Sequence, residues 1–152
     1  MQPSTITQQQ IDEHFMQMAL YEAQKAKEQD EIPIGCVIVC DGQIIGRGHN
    51  LTQMLQDSTA HAEMQAITAA EQTLSAKYLN GCTLYVTVEP CVMCAGAIGW
   101  AQISRVVYGC SEPQKGFTCY APKALHPKCE VKQGVLEYEC KSLMQSFFAQ
   151  KR

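Results

Sequence analysis

One α/β domain, built as a mixed sheet of about five strands sandwiched between helices, is the fold class this sequence predicts. Three features predict it. Segments with a helical repeat of apolar residues alternate with short β-rich runs ended by turn residues. The 152 residues are enough for one sizeable core, and residues 1–152 read as a single domain. The chain is 46% hydrophobic and 18% charged, yet no apolar run is long enough to cross a bilayer, so no membrane association is expected.

The elements follow in order. From Gln8 to Gln29, Ile11, Phe15, Met18, Ala19, Ala23 and Ala26 recur at steps of three and four among Gln, Glu and Lys, which predicts a helix covering the sheet. His14 lies off that stripe and is expected in solvent. The runs Cys36–Cys40 and Gln43–Gly48, split by Asp41-Gly42, predict a hairpin. Residues His49 to Thr59 are polar and aperiodic, hence a loop; Asp57, Ser58 and Thr59 can cap a helix from Ala60 to Ser75. After the Asn80-Gly81 turn, Cys82–Val88 is a strand that leads straight into a helix from Cys91 to Ala101. Arg105–Gly109 is a further strand, and Cys110 to Lys128 is an irregular stretch too long for a plain connector. A short strand at Glu130–Lys132 precedes a closing helix from Leu136 to Ala149.

Charge and cysteine content narrow the function. The formal charge of −3 is unlike that of a protein living mainly by phosphate contacts, so any nucleic acid would be met by a local patch. Nine cysteines is an odd number, the core needs no staples, and Met1–Thr5 lacks the pattern of a secretory leader. A reducing, cytoplasmic location with free thiols is expected.

Chemistry concentrates in two segments. Cys91 and Cys94 stand three residues apart at a helix start, where Pro90 is tolerated and thiolates are favoured by the helix dipole; this suits a borderline-soft cation such as zinc. His61 would complete a three-ligand set, leaving a fourth position for water, as catalytic zinc requires. Glu63, beside the metal but not on it, would then take a proton from the activated water and deliver it to a ring nitrogen and a departing amine. One obstacle is geometric. Residues two apart point to different sides of a regular helix, so His61 and Glu63 can converge only from an irregular first turn. A redox Cys-x-x-C pair, or a structural zinc closed by another cysteine, stands beside this reading.

His61-Ala62-Glu63 followed by Pro90-Cys91-Val92-Met93-Cys94 resembles the signature of the zinc-dependent nucleoside and nucleobase deaminases. The wider likeness is to the TadA-type tRNA-specific adenosine deaminases. It runs through Glu31–Gly35, Thr59–Glu63, Thr83–Thr87, Glu89–Ile98, Arg105–Gly109 and Phe147-Phe148. The resemblance implies a three-layer α/β/α cytidine-deaminase-like fold, one zinc ion per subunit on His61, Cys91 and Cys94, a homodimer, and conversion of adenosine to inosine at the wobble position of a tRNA anticodon stem-loop. Glu63 is then the proton shuttle, and Asn50, Ala62, Pro90 and Glu112 the substrate-binding residues. Leu51, Ser58 and the loop Ser111–Tyr120 depart from the family pattern, which leaves guanine, cytosine or a free nucleoside as the alternative substrate. Candidate RNA contacts are Lys115, Phe117, Tyr120, Lys151 and Arg152, basic residues interleaved with aromatics as unpaired nucleotides require. Lys123, His126, Lys128 and Lys141 extend that group.

Overall fold

The computed structural model of the chain describes residues 5–151; Arg152 lies outside them. The elements run α1 (Gln8–Glu28), β1 (Gly35–Cys40), β2 (Gln43–His49), α2 (Ala62–Leu74), β3 (Thr83–Val88), α3 (Val92–Trp100), β4 (Arg105–Cys110), α4 (Phe117–Tyr120), β5 (Glu130–Gln133) and α5 (Glu137–Gln150). The strands form one mixed sheet in the order β2-β1-β3-β4-β5. β1 is antiparallel to β2 and β3, whereas β3, β4 and β5 are parallel. The hairpin turn puts Asp41 and Gly42 at φ 49° and 75°, the left-handed pair that a two-residue turn matching the strand twist demands.

Each face of the sheet carries a helical layer, as the expected three-layer fold requires. α2 and α3 bury Ala62, Ala66, Ala95 and Ile98 against Ile38, Leu84, Val86 and Val106. α1 and α5 bury Phe15, Met16, Ala19 and Cys140 against Val37, Tyr85 and Val107. α1 also buries Asp12, a residue its apolar stripe does not include. The carboxylate is fully covered, takes two hydrogen bonds of 2.7 and 2.8 Å from the Arg105 guanidinium, and accepts a third of 2.8 Å from the Tyr85 hydroxyl. Burial alone would raise its pKa, but these donors outweigh that cost and hold it below the ordinary 3.8.

Two boundaries differ from the sequence-based expectation in ways that matter for the site. Asp57 and Thr59 do not cap the second helix. Asp57 accepts instead from the Thr59 N–H and hydroxyl at 2.9 and 2.8 Å, closing its own turn, and the helix starts two residues late. The stretch from Cys110 to Lys128 is not wholly irregular, because α4 lies within it and Phe117 is anchored in the core.

Candidate metal centre and active site

The late start of α2 removes the obstacle posed by His61 and Glu63. His61 is the N-cap, with extended backbone (φ −77°, ψ 157°), and only Ala62 and Glu63 are helical. An extended residue followed by two helical ones does not obey the helical wheel, so both side chains can face the same cavity. Cys91 is likewise the extended N-cap of α3 (φ −75°, ψ 175°), with Cys94 in the first turn. β3 delivers that pair directly through Glu89-Pro90, while α2 is seated on β2 by glycine. At Gly48 a methyl group would fall on the Ala62 carbonyl oxygen and stand 2.7 Å from the Ala66 nitrogen. The absence of a side chain lets the helix backbone lie directly on the strand.

His61 Nδ1 lies 3.6 Å from Cys91 Sγ and 3.5 Å from Cys94 Sγ, and the three donor atoms all fall within 4.8 Å of one another. Tetrahedral zinc with ordinary Zn–S and Zn–N bonds requires an N···S separation of about 3.6 Å. The donor set therefore fits the ion in both chemistry and spacing. Among the described residues no fourth His, Cys, Asp or Glu joins the group, which removes the structural-zinc reading that needed a further cysteine. The Ser58 backbone beside the imidazole favours its protonated form. Its pKa is raised, chiefly by its contact with Cys91. The Cys94 thiol and His61 stabilise the Cys91 thiolate and bring its pKa down to about 4, against the cost of burial. Cys94, facing that thiolate and buried, is pushed up. Metal ligation needs both sulfurs deprotonated, so binding releases the Cys94 proton.

Glu63 is buried, and burial pushes its pKa up to about 7. It lines a cavity of ≈ 530 Å³ together with His61, Cys91, Asn50 and Ala62. A carboxyl near neutrality beside a three-donor metal centre can both accept and return a proton at pH 7.

The other expected site residues are distributed unevenly. Asn50 is buried on the cavity wall, and its side-chain oxygen accepts from the Thr52 N–H at 3.3 Å, which leaves its NH₂ as a donor. Pro90 is buried but is not a lining residue; its carbonyl accepts from the Phe117 N–H at 2.9 Å. Glu112 lines the cavity, yet its two carboxylate oxygens accept the N–H groups of Gln114 and Lys115 at 3.1 and 2.9 Å, so it shapes its own loop. Lys115 is exposed at the cavity rim. Phe117 is corrected as an RNA contact. It is 2% exposed and packs edge-on against Tyr108, with its ring inside the core. Tyr120 is exposed but outside the cavity wall, and Lys151 pairs with Asp30 over the Phe147 ring, away from the metal ligands.

Sequence reasoning missed two buried carboxylates that hold the loops. Glu31 accepts the N–H groups of Gln53 and Met54 at 3.0 and 2.8 Å, fixing the loop after Asn50. Glu89 accepts from the Glu112 N–H at 3.1 Å and from the Thr118 N–H and hydroxyl at 3.1 and 2.6 Å, fixing the loop after β4. Their position next to apolar strand ends was the available signal. Of the α5 wall of the cavity, formed by Lys141, Met144, Gln145 and Phe148 at helical spacing, Lys141 was among the expected contacts and the other three were missed.

A family model described as the cytidine and deoxycytidylate deaminase zinc-binding region matches residues 9–110. The chain belongs to this family. Its metal is accordingly zinc, which His61, Cys91 and Cys94 are positioned to bind. Among deaminase relatives, a tRNA-specific adenosine deaminase of Streptococcus pyogenes serotype M18 is 46% identical over 144 residues, covering 91% of each chain. A solved structure from work on A-to-I editing by tRNA:A34 deaminases at the wobble position of transfer RNA is 44% identical, with a TM-score of 0.79, over 86% of this chain and 98% of that one. A guanine deaminase from Bacillus subtilis is 42% identical with a TM-score of 0.64, over 66% of this chain and 65% of that one.

Proposed function

We propose that this protein hydrolyses adenosine to inosine at the wobble position of a tRNA anticodon. The observation that carries the reading is a three-donor zinc centre with Glu63 in the same cavity, in a chain alike over 91% of its length to a tRNA-specific adenosine deaminase. The Bacillus subtilis guanine deaminase is alike over 66% of this chain.

When bound, zinc acts as a Lewis acid that acidifies water at neutral pH. Two thiolates and an imidazole give the ion less residual charge than three neutral ligands would, which makes a neighbouring base necessary. Glu63 fills that role. Its carboxylate takes a proton from the attacking water and gives it to the ring nitrogen next to C6, then transfers the second water proton to the departing amine. One water is consumed and one ammonia released. Asn50 holds the extruded base by its free NH₂, and the backbone at Ala62 and Cys91 shapes the pocket. The test is to incubate the purified protein with an anticodon stem-loop carrying adenosine at the wobble position, and with guanine, cytosine and adenosine in parallel. Inosine in the RNA supports the reading; deamination of a free base alone overturns it.

We also propose a cytoplasmic homodimer. No helix among the described residues is long and apolar enough to cross a membrane, and α3 leaves Trp100 84% and Val92 43% exposed, as an interface helix would. Light scattering at twice the chain mass is the expected result.

A further inference from the structure

We propose that Lys115 and Lys141 form a two-point clamp for the phosphodiester backbone beside the extruded nucleotide, and so select polynucleotide over free base or nucleoside. This rests on the RNA reading above and deepens it. The two residues reach the catalytic cavity from different elements, Lys115 from the loop after β4 and Lys141 from α5. Both are exposed, whereas Glu63, Asn50 and Cys94 are buried, so the lysines sit at the mouth and the chemistry at the floor.

Two properties suit them to a ligand of opposite charge. Among the described residues neither ammonium has a carboxylate or hydrogen-bond acceptor, as is also true of Lys77, Lys123 and Lys128 outside the cavity wall, while Lys25, Lys27, Lys132 and Lys151 are engaged by Glu22, Ser146, Gln9 and Asp30 respectively. Both are also held on rigid supports. The Lys115 N–H is bound by Glu112, whose own N–H is bound by the buried Glu89. Lys141 follows Cys140, which is 1% exposed and packed under β4.

None of the acids on the cavity wall pairs with either ammonium group. Glu89 and Glu112 turn their oxygens to backbone N–H groups and the Thr118 hydroxyl, and Glu63 is buried at the floor. Lys115 and Lys141 are the two ammonium groups on this cavity wall, in a chain whose net charge is −3. A base entering the cavity brings its own backbone past that mouth, where two unpaired ammonium groups match an anionic phosphate. On the same α5 face, Phe148 is 43% exposed one to two turns beyond Lys141, a surface on which a neighbouring base can stack.

The test uses the full chain with zinc, comparing wild type with K115Q, K141Q and the double variant, and with K115R/K141R as rescue. kcat and KM are measured for the stem-loop over a range of salt, and for free adenosine at high concentration. Each Gln variant is expected to raise KM for RNA with kcat retained, and to flatten the slope of log(kcat/KM) against log[salt] by about 0.7 per lysine, the value for a contact to a single strand. The Arg pair should restore the wild-type slope, and any turnover of free adenosine should be unaffected. An unchanged salt slope, or an equal loss with free adenosine, overturns the clamp. Wild-type failure on the stem-loop would overturn the RNA reading itself, a result separable from any difference between variants.

Discussion

Replacing Gly48 by alanine offers a severe check on how the sheet places the catalytic groups. A methyl group there would collide with the Ala62 carbonyl oxygen and stand 2.7 Å from the Ala66 nitrogen, where ordinary contact begins at 3.4 Å. Both atoms are helix backbone and cannot rotate away, so α2 must lift by about 1 Å at its first turn. His61 and Glu63 flank Ala62, whereas Cys91 and Cys94 stay with β3 and α3. The displacement therefore opens the ligand set and moves the shuttle. A misplacement of about 1 Å costs about 10²-fold in rate, and overpacking costs about 1–3 kcal/mol of stability. The comparison is Gly46→Ala, whose methyl would strike the Ala66 carbonyl oxygen and stand 2.8 Å from the Ala70 nitrogen, one turn further from the ligands. Urea midpoints should fall by about 1 M in both variants, and kcat/KM on the stem-loop by about 10²-fold in Gly48→Ala but far less in Gly46→Ala. Equal activity losses in the two variants, or no loss at Gly48, would refute this account of the site's placement.

Other expectations can be checked alongside. Glu63→Gln keeps the ligands and should retain one zinc per chain by metal analysis, while kcat falls by about 10²–10⁴-fold, the range of general acid–base catalysis. Because Glu63 must begin as carboxylate and its pKa stands at about 7, wild-type turnover should decline as pH drops through neutrality, a limb that pH–rate measurements should find missing in Glu63→Gln. Treatment with a chelator should abolish turnover, and one equivalent of zinc should restore it. Asp12→Asn leaves the Arg105 charge and the Tyr85 hydroxyl without their carboxylate and should cost about 3–5 kcal/mol in chemical denaturation at pH 7. Asp12 is held below its ordinary 3.8, so its contribution is present above that pH and is lost as acid titrates it through the lower folded value. The gap between wild type and Asp12→Asn should close on that acid side. Glu89→Gln removes a charged acceptor from three donors and should raise the B-factors or hydrogen-exchange rates of residues 111–118 before it affects zinc content.

Much of the architecture was legible because the signals were local. Asp41-Gly42 specifies its hairpin through two residues that tolerate positive φ, and α1 is written in its own apolar repeat. The ligands were legible as well, since Cys-x-x-C at a helix start and His-Ala-Glu are chemical types at short spacings. Phe117 was not legible. An aromatic in a polar stretch looks free to stack, and only the fold of the loop onto Tyr108 shows it buried. That the Glu112 oxygens accept the N–H groups of its own loop was not legible either.

The sequence by itself determined the donor atoms, the acid that serves them and the order of helices and strands, because these depend on residue type and near-neighbour spacing. Tertiary structure alone decided that His61 is an extended cap and so shares a cavity with Glu63, that Glu31 and Glu89 turn their oxygens to loop N–H groups, and that Lys115 and Lys141 line that same cavity. Those outcomes depend on packing between segments far apart in the chain, where glycines on β2 and buried carboxylates set distances of a few ångströms that no local pattern encodes.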